Sequence, residues 1–259
     1  MSDLYAEQAG AGSPVVLVHE GIADSRMWEP QWESYSERFH VVRFDMRGFG
    51  QSPPAVGTFS LAGDVVELLE GLALGPVALV GMSLGGAVAM ETTVARPDLV
   101  SKLVLVGPGL RGFEMSDETK KGWADEEAAL ERGDDDEAVE INLRMWVDGP
   151  SRSPDQVDPE MRRKIGEMQR RIIDLWREAG AEDGDHQPLA EDWRERLAEI
   201  SVPTLILVGE LDRPEMLAIA DRLDAEIPDA RRETIAGAAH VPNMERPAEF
   251  DRLVLEFLS

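Results

Sequence analysis

Cysteine is absent from the 259-residue chain. That one gap removes disulfides, thiolate nucleophiles and thiolate metal ligands together. Long apolar runs are missing too. No stretch approaches the roughly 18 consecutive apolar residues of a membrane span, so no contact with a membrane is expected. The opening MSDLYAEQAGAGSP has no basic segment followed by an apolar one, so no secretory signal is read there and a cytoplasmic protein is the expectation. Positive charge is scarce. Lys and Arg number 26 against 51 Asp and Glu, a net charge of −25 that would repel a phosphate backbone and excludes nucleic acid as an expected partner. Metal-ligand clusters are also thin: His19-Glu20 and Asp183–His186 offer ligand types without a set of three. No glycine-rich loop carries a phosphate or dinucleotide fingerprint. Neither metal nor cofactor is therefore expected, and the partner read from the sequence is a small molecule, bound by a monomer or homodimer.

What is present is a globular composition with 43% hydrophobic residues. Short Val/Leu-rich runs predict strands at Pro14–His19, His40–Asp45, Pro76–Gly81, Lys102–Gly107 and Pro203–Gly209. They alternate little, as strands do when both faces are covered. The more polar RRETIA, Arg231–Ala236, is expected near a sheet edge. Helices are predicted at Ser60–Leu72, Leu84–Ala95, Pro214–Ile227 and Pro247–Leu258. This alternation implies an α/β fold with a mostly parallel open sheet. From 111 to 200 the rhythm stops, and no strand is expected. Met161, Ile165, Met168, Ile172 and Leu175 repeat at helical spacing there. The division expected is a core of 1–110 and 201–259 with 111–200 inserted as a helical lid over the ligand crevice. The acidity concentrates in Ser116–Glu140, expected to form a solvated face that serves solubility, with adaptation to a salty interior left as the alternative.

The stretch VALVGMSLGGAVAM sets Ser83 between Gly81 and Gly85, after a predicted strand and before a predicted helix. Such a turn lifts the hydroxyl above the sheet at a helix N-terminus, where developing negative charge is favoured. Gly-x-Ser-x-Gly alone is a weak signal, and its context raises it. A serine nucleophile needs a base, and the base needs an orienting acid. Of four histidines, His240 sits in a small-residue loop between the last strand and the last helix, and His19 ends a strand where it could shape a loop. Asp212 follows the strand Pro203–Gly209. In isolation it reads as a turn residue before a helix starting at Pro214. The order Ser83, Asp212, His240, each in a loop after a strand, favours the catalytic reading over the rival acids Glu210 and Asp229.

With these motifs the chain resembles the α/β-hydrolase superfamily, and in particular small carboxylesterases and the 3-oxoadipate enol-lactonase group. The segments VVLVHEGIADSRMW, FDMRGFGQS, VGMSLGGAVA, LVGELD and GAAHVPNMERP carry the resemblance over nearly the whole length. It implies that Ser83 attacks a carbonyl, His240 moves the proton and Asp212 holds the imidazole. It also implies an oxyanion hole from the backbone N–H of Leu84 and a second donor, by position Gly21, with Ile22 the next choice. Where many relatives read His-Gly, Glu20 separates His19 from Gly21. The short N-terminus leaves room for one antiparallel strand, and Arg47 in DMRGFGQS is read as a turn anchor.

A serine at the elbow argues against dehalogenases and epoxide hydrolases of this kind, which carry aspartate there. Ester or lactone hydrolysis is the leading expectation. Carbon–carbon hydrolysis of ring-fission products, perhydrolysis and non-catalytic ligand binding are the alternatives. Met145 and Trp146 are the expected substrate-pocket residues, while Met161, Met168, Trp123 and Trp176 read more readily as packing. Arg111, Arg144 and Arg152 are the candidates for a substrate carboxylate.

Overall fold

The computed structural model describes residues 3–180 and 184–259. Seven strands form the main sheet: β1 (Ala6–Gly10), β2 (Pro14–Val18), β3 (His40–Phe44), β5 (Val77–Met82), β6 (Val100–Val106), β8 (Thr204–Gly209) and β9 (Ala230–Ile235). A separate two-stranded pairing joins β4 (Thr58–Phe59) to β7 (Asp185–His186). The order across the main sheet is β1-β3-β2-β5-β6-β8-β9. β1 runs antiparallel to β3 and every other pairing is parallel. The six parallel strands fall where the apolar runs predict them, with the polar β9 at an edge, and β1 is the one antiparallel strand the N-terminus had room for.

The helices are α1 (Glu29–Ser36), α2 (Leu61–Leu72), α3 (Leu84–Ala95), α4 (Asp117–Glu131), α5 (Asp135–Asn142), α6 (Pro159–Ala179), α7 (Pro214–Glu226), α8 (Pro242–Glu245) and α9 (Pro247–Leu258). Side chains along a strand alternate faces. Val16, Val18, Leu79, Leu103 and Ile206 accordingly pack with α2, α3 and α7, while Val15, Leu17, Val80, Val104 and Leu205 pack with α1 and α9. Both faces are buried, which is why these runs read as continuous apolar stretches. Among the described residues no helix is long and apolar enough to cross a membrane.

Helices α4, α5 and α6 lie between β6 and β8. On α6, Met161, Ile165, Met168 and Leu175 are buried. Ile173 takes the inner position in place of the expected Ile172, which is only partly buried. One expectation is corrected: residues 111–200 do contain a strand, since Asp185 and His186 pair with Thr58 and Phe59. A two-residue strand carries no periodicity and leaves no mark in the sequence. Arg47 does anchor its turn, gripping Asp64 of α2 through two hydrogen bonds of 2.8 Å.

The approach of α3 to the sheet depends on glycine. A Cβ on Gly85 would fall 2.8 Å from the Val18 carbonyl carbon, with the carbonyl oxygens of Val18 and His19 closer still. Backbone cannot yield as a side chain can. Gly85→Ala is therefore expected to destabilise the fold by about 2–3 kcal/mol, lowering the melting temperature by roughly 5–10 °C. A thermal melt checks this; an unchanged midpoint would contradict it.

Candidate active site

β5 ends at Met82, α3 begins at Leu84, and Ser83 makes the whole turn between them with φ 49° and ψ −111°. A non-glycine residue rarely sits at positive φ, and the turn persists because its surroundings fix it. The Ser83 N–H donates to the Val106 carbonyl at 2.9 Å, and its carbonyl accepts from Gly109 at 2.9 Å. A Cβ on Gly81 would lie 2.7 Å from the Gly85 carbonyl carbon, so position 81 must also be bare. Leu84 opens the helix, so its N–H has no intrahelical partner. Gly21 backs onto it: a Cβ there would lie 3.6 Å from the Leu84 side chain. The Ile22 side chain is buried beside Ala23 and Met27 in the core under the other sheet face.

His240 and Asp212 meet over Gly107, the residue after Val106, whose carbonyl accepts the Ser83 N–H. His240 Nδ1 lies 2.9 Å from Asp212 Oδ2, and both residues are almost wholly buried. The other Asp212 oxygen, Oδ1, accepts the Arg213 N–H at 2.8 Å. Gly107, at φ 45°, gives the ring room: a Cβ there would stand 3.1 Å from the imidazole. Burial pulls the His240 pKa down, but the charge and hydrogen bond of Asp212, with Glu20 and Glu245 adding, leave it raised above the ordinary histidine value. The neighbouring Glu245 carboxylate accepts from the Ala239 N–H at 2.8 Å and from Arg152 at 2.6 Å. Arg152 also donates to the Asp148 and Val147 carbonyls, both at 2.8 Å. It thus braces the loop carrying His240 and is not available to a substrate carboxylate. Arg144 is paired with Glu140 at the surface, which leaves Arg111 as the one of the three that lines the cavity described next.

That cavity encloses about 630 Å³ and is lined by Ser83 and Leu84 together with Phe113, Met115, Trp146 and Trp193. Trp146 projects from a wide π-helical turn, Leu143–Asp148, and its ring centroid stands 4.9 Å from that of His240. Met145 does not share the cavity. It turns toward α4, where a Cβ on Gly122 would strike its sulfur. Its side chain is taken up by packing against Gly122, so of the two expected pocket residues only Trp146 lines the cavity. The expectation for Met145 as a lining residue is corrected on that ground.

His19 shapes its loop as read. Its Nδ1 lies 2.7 Å from the Glu20 carbonyl and its Nε2 accepts the Met46 N–H at 2.9 Å, a pattern that fixes a neutral ring protonated on Nδ1. His186, which the sequence offers only as one of a thin set of metal-ligand types, lines the Ser83 cavity. Asp183, its companion in the thin metal-ligand cluster, lies outside the described residues. Glu20 points inward rather than to solvent: its side chain is 2% exposed and Oε2 stands 3.8 Å from His240 Nε2.

A family profile described as alpha/beta hydrolase fold matches residues 14–247. The chain belongs to the α/β-hydrolase family. The hydrolase is 26% identical to the (E)-2-((N-methylformamido)methylene)succinate hydrolase of Acinetobacter baylyi, over 98% of this chain and 93% of that one. It is 25% identical to 3-oxoadipate enol-lactonase 1 of the same species, over 95% and 89%. Among solved structures it is similar to a thermophilic esterase from Thermogutta terrifontis, with a TM-score of 0.76, 28% identity and coverage of 98% and 92%.

Proposed function

We infer that this hydrolase cleaves a carboxylic ester or lactone through an acyl-enzyme on Ser83. The observation that carries the reading is the buried Asp212–His240 pair of 2.9 Å beside the strained serine turn. In this mechanism Asp212 holds the Nδ1–H tautomer, which leaves Nε2 free to take the Ser83 proton as the hydroxyl attacks the carbonyl. The imidazolium that forms is stabilised by Asp212. Leu84 N–H, with Gly21 N–H as second donor and Ile22 the alternative, holds the oxyanion. Water then repeats the sequence on the acyl-enzyme and frees Ser83.

The apolar cavity of about 630 Å³ supports an acyl group of small to medium length packed against Trp146. The segment 111–200 acts as the lid over a core of 1–110 and 201–259, and its Trp146 covers the imidazole. Excluding water there strengthens every charge interaction that the reaction uses. The relatives named as an enol-lactonase and an esterase act on the same bond class.

A serine-directed fluorophosphonate tests the nucleophile without knowledge of the substrate. The expected result is stoichiometric labelling, with the added mass on the peptide that carries Ser83. Labelling elsewhere, or none, would contradict the assignment.

A further inference from the structure

Two arginines of the Ser83 cavity have no task in the mechanism above. Arg111 and Arg194 both line it, and neither stands in an ion pair among the described residues. In a chain with 51 acidic residues against 26 Lys and Arg, that is unusual. Around the lid, Arg144, Arg152, Arg162 and Arg213 each meet a carboxylate at 2.6 to 3.2 Å. The loop that carries Arg111 leaves the serine turn directly. Gly109, two residues earlier, donates its N–H to the Ser83 carbonyl at 2.9 Å, so the Cα of Arg111 lies within about 8 Å of that of Gly109. Arg194 belongs to the short helical turn Trp193–Glu195, and Trp193 fastens that turn to the core. Its Nη1 donates to the Arg111 carbonyl at 2.9 Å, which ties the two loops together and uses one of five guanidinium N–H groups.

Most of the remaining wall is apolar, with Phe113, Met115, Trp146 and Trp193. The one acid that lines it, Glu91, is 4% exposed and already accepts the N–H groups of Leu189 and Ala190. Burial leaves the Glu91 carboxyl raised, while the Arg111 and Arg194 charges act to lower it. Burial depresses His186, another lining residue, and the Arg111 charge pushes it the same way. Both guanidinium charges are thus felt inside the cavity. Its wall carries two cations against one acid, on a protein whose net charge is −25.

We propose that Arg111 and Arg194 form an anion subsite of the Ser83 cavity, and that the acyl group cleaved there ends in a carboxylate. Resting on the Ser83 reading, this names the substrate class: a half-ester of a dicarboxylic acid, or a lactone whose acyl part bears a carboxylate. A guanidinium presents paired N–H groups that match the two oxygens of a carboxylate. The apolar wall takes the carbon chain and the two arginines take its charged end. A carboxylate carried into an apolar cavity without such partners would cost binding. The acidic surface elsewhere repels an anion, so the cationic rim also guides it to the one place where it is held.

The test compares monoethyl esters of succinate, glutarate, adipate and pimelate with ethyl esters of the unsubstituted acids of equal carbon number. Wild type, Arg111→Gln, Arg194→Gln and Arg132→Gln are assayed. Arg132 is exposed on the lid and does not line the cavity, so its variant controls for net charge. At the best chain length, wild type is expected to favour the half-ester at least about 10-fold in kcat/KM, chiefly through a lower KM. Each cavity variant should cut that ratio about 10-fold, and Arg132→Gln should leave it in place. Neutral esters favoured at every length would overturn the proposal. So would a ratio that either cavity variant leaves in place, or one that Arg132→Gln moves as far. Fluorophosphonate labelling separates the two levels. Wild type that labels at Ser83 yet shows no half-ester preference sinks the subsite alone. If wild type takes no label, the serine reading fails and the subsite falls with it.

Discussion

Asp212→Asn is expected to lower kcat about 10⁴-fold and leave the fold in place. The geometry dictates the direction. Asp212 Oδ1 accepts the Arg213 N–H at 2.8 Å and Oδ2 faces His240 Nδ1 at 2.9 Å. An asparagine must keep its one carbonyl oxygen on the Arg213 N–H, because an amide NH₂ there would set donor against donor. Its NH₂ then faces Nδ1, which can only accept from it. The ring is driven to the Nε2–H tautomer, and a protonated Nε2 cannot take the serine proton. Steady-state kinetics and a thermal melt together check this. A variant that keeps more than about a tenth of wild-type kcat would contradict the role given to Asp212.

The triad candidates are legible because each depends on local chemistry. Ser83 stands between glycines that the turn requires. Asp212 follows β8, whose two faces are both buried, so that its run announces itself. His240 follows the half-exposed edge strand β9 and is marked by its small-residue loop before α8. β1 shows the opposite case. AEQAG is a half-exposed antiparallel edge with little apolar content, and only its pairing to β3 makes it a strand. The separation of Trp146 from Met145 follows from the π-helical turn, a backbone feature with no sequence signature. Arg152 likewise reads as a free cation in the sequence and proves to be the brace to a loop 93 residues further along the chain, because its partners Val147, Asp148 and Glu245 meet only in the fold. Glu20 was visible as a departure from its relatives. Its inward direction was not, because burial of a glutamate is decided by what surrounds it after folding.

The same reasoning separates stability from activity at the serine turn. The backbone at position 83 keeps φ 49° whatever side chain it carries, since β5, α3 and the Gly109 contact hold it there. Removing the hydroxyl is therefore expected to take away the proposed nucleophile without dismantling the turn.

Hydrolysis of a p-nitrophenyl ester series, acetate to octanoate, by wild type and Ser83→Ala tests the central claim most directly. The account predicts wild-type turnover with an optimum set by the Trp146-lined cavity. It also predicts a loss of at least about 10⁴-fold in kcat for Ser83→Ala, at an unchanged melting temperature. Ester hydrolysis that survives in Ser83→Ala would contradict it.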